Sequence, residues 1–353
     1  MVERRVLFAS AFAGSLAPAF RINAAETPVS AGWRHFEIIT RVTLLGASGA
    51  ARLWLPLAQT AYGYQVAHGL ETRGNGNMAV VRDDRYGAAI LRTTWDGTAT
   101  QQQVQVVQTV ATRDRGAIPL APLTKAERDF WTAPLPTVPT DGIVRETADK
   151  ITAGHATPRD RLRAIYDWVV DTTWRDPETA GCGTGDFKQM LESGHFGGKC
   201  ADISGLMVGL ARAAGFPARD VYGIRVADSR QFPSIGKSGD ISKAQHCRAE
   251  VFLEDAGWFP VDPADVRKVM LESKLSIDSP EVKALRERLF GNWEMNWVGY
   301  NSGTDIDLPG AGKRTPNFVF LMYPCAFTAN GQPDTLDPAR FRYEITSREV
   351  TAA

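Results

Sequence analysis

The chain has 353 residues, of which 44% are hydrophobic and 23% charged, enough apolar material for the core of one large or two medium domains. Lysine plus arginine number 40, and aspartate plus glutamate number 40, so the formal net charge is zero and no overall positive field exists to hold nucleic acid. Four cysteines are too few for a scaffold built on disulfides. The composition predicts a folded globular protein that does not bind nucleic acid.

The N-terminus has the layout of an export signal. Arg4 and Arg5 precede an apolar stretch that runs to Phe20, and Asn23-Ala24-Ala25 offers small residues for cleavage. We therefore predict a signal over residues 1–24 for the Sec or the twin-arginine route, and a periplasmic or secreted mature protein. A buried N-terminal helix is the alternative. The mature chain contains no run of roughly 20 apolar residues that would form an integral membrane span.

The rest of the chain divides by composition. Residues 25–116 read as a β-rich domain with strands over 36–43 and 104–110. Five prolines between residues 117 and 142 predict a linker with one short helix around residues 125–131. Thr157 and Pro158 then supply the N-cap and first turn of a helix. That helix belongs to a second domain over residues 143–270, which a C-terminal extension over residues 271–353 is expected to complete.

One cysteine stands at a predicted helix start. The run Gly197-Gly198-Lys199-Cys200 leads into apolar residues at helical spacing, and the pattern stops at Gly215-Phe216-Pro217. A helix N-terminus favours an anion, which lowers the pKa of a thiol and increases its thiolate fraction. Cys200 is therefore a candidate nucleophile. The alternative is an inert core cysteine, because free cysteine is among the most buried residue types.

A candidate base and orienting carboxylate follow on a predicted hairpin. His246 opens a strand, residues 254–257 form a turn, and a second strand ends at Asp262. A carboxylate near the imidazole would fix its tautomer and stabilise its protonated form. Asp265 is a close competitor for that role. His195, in the loop before Cys200, is expected to be a loop residue without a chemical role. The alternative is that it lines the cleft or replaces His246 as the base.

These residues, in this order, resemble the transglutaminase-like superfamily of cysteine enzymes, over roughly residues 140–270. The resemblance implies an α+β fold with a papain-like core, in which the helix of Cys200 packs on an antiparallel sheet that carries His246 and Asp262. It implies a Cys-His-Asp triad that forms a thioester at amide or peptide bonds.

Animal transglutaminases usually have Trp after the nucleophile, whereas Ala201 stands here and nothing suggests calcium sites. Hydrolysis by a peptidase or amidase is therefore favoured over protein cross-linking. The resemblance does not identify the second oxyanion donor. Trp174, whose indole N–H follows the first helix of the second domain, is a candidate for it beside the backbone N–H of Cys200.

Other readings of the same residues remain open at this point. A zinc site is the main rival, with sulfur and nitrogen ligands from Cys182, His195, Cys200, His246 and Cys247. Paired ligand spacing is missing, so no metal or cofactor is expected. Cys182 and Cys247 either form a disulfide or remain thiols. The expected partner is a protein or peptide substrate, including cell-wall peptides, and the alternative is a catalytically idle envelope binding or scaffolding protein that retains the fold.

Overall fold

The structure, a computed structural model, describes residues 20–23, 32–45, 49–61, 63–99, 101–118, 122–312, 319–339 and 341–351. The predicted export signal lies outside the described residues apart from Phe20–Asn23, which form an edge strand. Among the described residues, no helix has both the length and the apolar character needed to cross a membrane.

Seven strands form most of two antiparallel sheets in the N-terminal part. They are β1 (Phe20–Asn23), β2 (Arg34–Leu44), β3 (Gly49–Pro56), β4 (Gln65–Gly74), β5 (Asn77–Arg82), β6 (Ala89–Gly97) and β7 (Gln102–Thr112). In β7 the buried and half-buried side chains alternate, as expected for a strand with one face on a core. One hydrophobic cluster joins both sheets, because Leu53 and Leu91 of one sheet pack with Val42 and Val106 of the other.

A group of helices follows the sheets. They are α1 (Lys125–Thr132), α2 (Gly142–Thr152), α3 (Pro158–Thr172), α4 (Phe187–Ser193) and α5 (Cys200–Ala213), with the short strands β8 (Trp174–Arg175) and β9 (Gly197–Gly198) between them. Helix α3 begins as its sequence predicts, since the Thr157 hydroxyl accepts from the backbone N–H of Asp160. Every residue of α5 is buried, which makes it the central helix of the core.

Helix α5 packs on a four-stranded antiparallel sheet. The remaining elements are β10 (Ala218–Arg225), β11 (Gly239–Asp240), β12 (Gln245–Leu253), β13 (Gly257–Val261), α6 (Pro263–Ser273), α7 (Pro280–Arg288), β14 (Trp297–Asn301), β15 (Cys325–Thr328) and β16 (Phe341–Val350). The core sheet has the order β13-β12-β10-β14. A helix that carries Cys200 against an antiparallel sheet is the papain-like α+β arrangement, so the predicted fold class is confirmed.

The C-terminal segment contributes to all three large sheets. β14 completes the core sheet beside β10, whereas β15 pairs with β3 and β16 pairs with β2. The two N-terminal sheets therefore have the orders β1-β4-β7-β2-β16-β11 and β15-β3-β6-β5. The division into domains at residues 116, 142 and 270 stays a prediction, and the returning strands bring the far C-terminus close to the core.

Candidate active site

Cys200 is the first residue of α5, as its sequence predicts. The Asp202 carboxylate accepts from the backbone N–H of Lys199, just before the helix, at 2.9 Å. Its second oxygen accepts from Thr184 and Gly185 in the preceding loop, at 3.0 and 2.9 Å. A Cβ at Gly198 would lie only 2.7 Å from Asp202, so this close approach requires glycine. The helix start is thereby fixed against the loop before it.

The hairpin of β12 and β13 brings His246 and Asp262 together. Ala249 pairs with Val261 in the hairpin register, which places Asp262 opposite Arg248 and diagonal to His246. The His246 Nε2 lies 2.9 Å from Asp262 Oδ2, and the Arg248 Nε donates to the same oxygen at 3.1 Å. The other Asp262 oxygen accepts from the Asp265 backbone N–H at 3.0 Å and caps α6. Both oxygens of this buried carboxylate are thus satisfied.

Asp265, the competing carboxylate, is engaged elsewhere. Its oxygens accept from two guanidinium nitrogens of Arg225 at 2.6 and 3.0 Å, whereas its distance to His246 Nε2 is 3.5 Å. Burial raises the pKa of Asp265, but the positive charges of Arg225, His246 and Arg248 together outweigh it, and the net pKa lies below the ordinary value. The geometry therefore favours Asp262 over Asp265 as the imidazole partner.

The thiol of Cys200 is buried among groups that stabilise its thiolate. Hydrogen bonds from Cys182, Cys247 and His246 hold the pKa of Cys200 well below its ordinary value, although burial opposes them. Burial and the charge of Arg225 lower the pKa of His246, but Asp265 and Asp262 outweigh them and the net pKa is raised. Both shifts favour a thiolate–imidazolium pair near neutral pH. Since Asp262 engages Nε2, Nδ1 is the ring nitrogen left for the thiol.

Two further cysteines surround the nucleophile, and all four cysteines of the chain are free thiols in the structure. The Tyr323 hydroxyl donates to Cys182 Sγ at 3.0 Å, and Cys182 Sγ also lies 3.4 Å from the Gln245 carbonyl oxygen. The hydrogen bond with Cys200 is the largest cause that raises the pKa of Cys182 well above its ordinary value. No sequence pattern predicts this role, because Cys182 lies in a glycine-rich loop with no regular spacing to Cys200.

A cavity of about 600 Å³ opens onto these groups. Cys182, Cys200 and His246 line it, together with Tyr323 from the segment before β15 and Tyr343 from β16. The backbone N–H of Cys200, on the first helical residue, has no partner within the helix and can donate to an oxyanion. The C-terminal segment therefore supplies part of the wall around the thiol.

Trp174 and His195 pack on one another beside this cavity. Their rings meet edge to face with centroids 5.0 Å apart, and Trp174 is 39% exposed. An added Cβ at Gly197 would lie 2.6 Å from the Trp174 Nε1, so the indole covers the strand just before Cys200. Neither residue belongs to the set that lines the cavity. The oxyanion role of Trp174 stays a prediction.

The described residues contain one group whose geometry could hold a metal ion. Ligand atoms of His246, Asp262 and Asp265 lie within 4.8 Å of one another. Arg225 and Arg248 donate directly to these carboxylates, which leaves a cation to face two guanidinium groups. The predicted rival set around Cys182 and His195 does not form such a group in the described part of the chain.

Three comparisons with known proteins found chains that are similar to this one. The sequence model of the transglutaminase-like superfamily matches residues 145–263, which include Cys200, His246 and Asp262. The chain is 35% identical to a protein of Haemophilus influenzae described as uncharacterized, over 86% of this chain and 88% of that protein. A crystal structure from Cytophaga hutchinsonii, described as a "putative cysteine protease", aligns with a TM-score of 0.57 and 13% identity over 95% of this chain and 94% of that one. This chain belongs to the transglutaminase-like superfamily.

Proposed function

We propose that this protein is a cysteine enzyme that cleaves amide or peptide bonds with a triad of Cys200, His246 and Asp262. The observation that carries the proposal is the 2.9 Å contact between His246 Nε2 and the buried Asp262 carboxylate, with Cys200 on the same cavity at a helix N-terminus. This is the relation of nucleophile, base and orienting group that thiol acyl transfer needs. The lowered pKa of Cys200 and the raised pKa of His246 support it.

The reaction proceeds in two acyl-transfer steps. The Cys200 thiolate attacks the carbonyl carbon, and the C–N bond breaks as the His246 imidazolium gives its proton to the leaving amine. The attack first gives a tetrahedral oxyanion, which the backbone N–H of Cys200 stabilises. The oxyanion collapses to a thioester on Cys200. Water then attacks the thioester while His246 takes a proton from that water. The C–S bond breaks, a carboxylic acid leaves, and the thiolate–imidazolium pair is restored.

Hydrolysis is proposed rather than transfer to an amine. The residue after the nucleophile is the small, buried Ala201, which differs from the tryptophan usual in animal transglutaminases. A transglutaminase would resolve the same thioester with a lysine-like amine. The two outcomes share the triad and differ only in which nucleophile reaches the thioester.

The proposed location is the periplasm or the exterior, reached through the signal over residues 1–24. In that compartment the substrates would be proteins or peptides, including cell-wall peptides. Cell fractionation of the full-length chain, with Arg4 and Arg5 both replaced by Gln as the matched variant, tests this point. Retention of the wild type inside the cell would contradict it.

Incubation with a library of internally quenched peptides tests the function. The wild type is expected to cleave part of the library and to show an acyl adduct on Cys200 by mass spectrometry after an acid quench, whereas Cys200→Ala and His246→Ala show neither. A parallel arm adds a fluorescent alkylamine with casein. Amine incorporation without cleavage would replace hydrolysis by cross-linking. Absence of any adduct and any product would leave the idle scaffold as the better account.

A further inference from the structure

The lining of the active-site cavity is strongly one-sided in charge. Its basic members are Arg175, Lys199, Arg225, Lys237, Lys243, Lys268 and Arg342, and no aspartate or glutamate of the described residues lines it. The whole chain carries equal numbers of acidic and basic residues. The excess is therefore local to the cavity and does not follow from the composition.

Most of these cations form no salt bridge with a carboxylate of the described residues. Arg225 is paired with Asp265, and Lys268 lies 3.7 Å from Glu272. Within the described residues, no carboxylate lies within 4.0 Å of the charged groups of the other five, which are Arg175, Lys199, Lys237, Lys243 and Arg342. Burial is the main cause that lowers the pKa of Lys268, and the positive charges of Arg225 and Arg175 act in the same direction. The Asp240 carboxylate, which is not part of the lining, interacts electrostatically with Lys237 and Lys243. One carboxylate beside several cations leaves the cavity with an excess of positive charge.

The cations converge from separate parts of the chain. Arg175 lies on β8 and Lys199 directly precedes α5, whereas Lys237 and Lys243 lie in the segment between β10 and β12. Arg342 lies on β16, between the two aromatic residues Phe341 and Tyr343 that also line the cavity. Because β16 belongs to the sheet of the N-terminal part, the binding surface needs both halves of the molecule.

We propose that the cavity selects acyl substrates that carry carboxylates close to the scissile amide, as an acidic peptide does. The assignment rests on the proposed function, because Cys200 supplies the reacting atom in the same cavity. A cavity lined by one sign of charge attracts the opposite sign and repels its own. The carboxylates have two sources, which are acidic side chains and a free C-terminus. Both present the same anion to the lysines and arginines.

Matched peptides separate the two sources and test the preference. Starting from a peptide that the enzyme cleaves, we would compare Glu with Gln at positions beside the scissile bond, and a C-terminal acid with its amide. The acidic forms are expected to have about tenfold higher kcat/KM at low salt, an advantage that shrinks as ionic strength rises. Equal kcat/KM for acidic and neutral forms, or a preference for neutral ones, would overturn the proposal.

Charge-removing variants assign the preference to the cavity. Arg342→Gln and Lys243→Gln are each expected to reduce the ratio of acidic to neutral kcat/KM by about threefold, the size of a partly exposed ion pair. Lys150→Gln removes one positive charge from the exposed end of α2, outside the cavity, and is expected to leave that ratio unchanged. Equal effects of all three variants would show that only net charge matters and would overturn the assignment to the cavity.

Peptide binding to the inactive variant Cys200→Ala tests the charge preference without any turnover. Isothermal titration calorimetry would compare a glutamate-rich octapeptide with its glutamine counterpart, with and without a C-terminal amide. Tighter binding of the acidic forms supports the cavity assignment even if no peptide is cleaved, in which case the proposed function fails alone. Equal binding of all forms overturns the charge preference even if the wild type proves to be a peptidase.

Discussion

Strands β12 and β7 lie in the two halves of the molecule and bury their side chains in different ways. In β7 buried and half-buried residues alternate over most of its length. In β12 all nine residues are buried, and one face carries His246, Arg248 and Glu250. The intervening Cys247 and Ala249 belong to the apolar core that includes α5. β12 therefore has a buried apolar face and a buried charged face.

The difference shows what the core needs in order to hold the candidate triad. A buried charge is tolerated only when it is paired and hydrogen-bonded. Glu250 is paired with Arg115 and Arg219, and the Arg248 guanidinium lies over the rings of Trp293 and Trp297. The same face that keeps these charges satisfied also fixes His246 beside Asp262. The β-rich half holds its strands together mainly by apolar packing between two sheets.

The largest effect is expected from the carboxylate that orients His246. Asp262→Asn keeps the size of the side chain and an oxygen that can cap α6, but it loses the charge that stabilises the imidazolium. We expect kcat/KM on a cleaved peptide to fall by about 10³–10⁴, as in comparable triads. Circular dichroism would verify that the variant is folded. A loss of less than threefold would contradict the assignment of Asp262.

The buried ion pairs of the core should contribute far more to stability than surface pairs of the β-rich half. Arg115→Met leaves Glu250 with Arg219 as its one remaining guanidinium partner among the described residues, and should reduce the free energy of unfolding by about 3–5 kcal/mol. Arg34→Met removes the pair with Glu349 between β2 and β16 and should cost less than about 1 kcal/mol. Urea unfolding would measure both. Equal losses would contradict the contrast between the two halves.

Asp220 on β10 should give the core a characteristic dependence of stability on pH. Burial raises the pKa of Asp220 to about 7, and its Oδ1 has no hydrogen-bond partner among the described residues. Between pH 4 and 7 the folded state holds a proton that the unfolded state has released. This carboxyl therefore lowers stability as pH rises, by up to about 1.4 kcal/mol per pH unit.

Asp220→Asn mimics the protonated carboxyl and should remove this slope. The difference in unfolding free energy between the variant and the wild type should grow in favour of the variant from pH 4 to pH 7, measured by urea unfolding at each pH. Asp149→Asn, at an exposed position on α2, is the matched control and should show no such trend. Parallel pH profiles for Asp220→Asn and the wild type would rule out a raised pKa.

A smaller effect is expected from Cys182. The hydrogen bond from its thiol makes the largest contribution to the lowered pKa of Cys200, so Cys182→Ala should raise that pKa. Alkylation of Cys200 should slow severalfold at pH 6 and change little at pH 9. Cys325→Ala, which removes a buried thiol from β15, is the control and should leave the rate unchanged. An unchanged rate in Cys182→Ala would show that this thiol does not tune the nucleophile.

Local patterns in the sequence were enough to predict the framework of the site. The helix that starts at Cys200, the strand that opens at His246 and the alternation in β7 each depend on neighbouring residues, and the structure contains all three. Asp262 was predicted from a strand end and a turn, and the hairpin register explains why it reaches a histidine that is not directly opposite.

What the sequence could not predict depends on distant segments that meet in space. Arg225 and Arg248 reach the two carboxylates from different strands, and Arg342 reaches the cavity from the last strand of the chain. No local period links these positions. The pairing of β10 with β12 brings Arg225 and Arg248 to the carboxylates, and the pairing of β16 with β2 places Arg342 at the cavity. The oxyanion role of Trp174, inferred from its position just after a predicted helix, remains a prediction.

The rate of Cys200 alkylation by iodoacetamide between pH 5 and pH 9, read by peptide mass spectrometry, tests the central claim most directly. In the wild type we expect rapid labelling well below about pH 8.5, the ordinary thiol pKa, since His246 and the neighbouring thiols stabilise the thiolate. His246→Ala should lose that rapid labelling at low pH. Slow labelling that follows an ordinary thiol pKa and is the same in both proteins would contradict the activated pair.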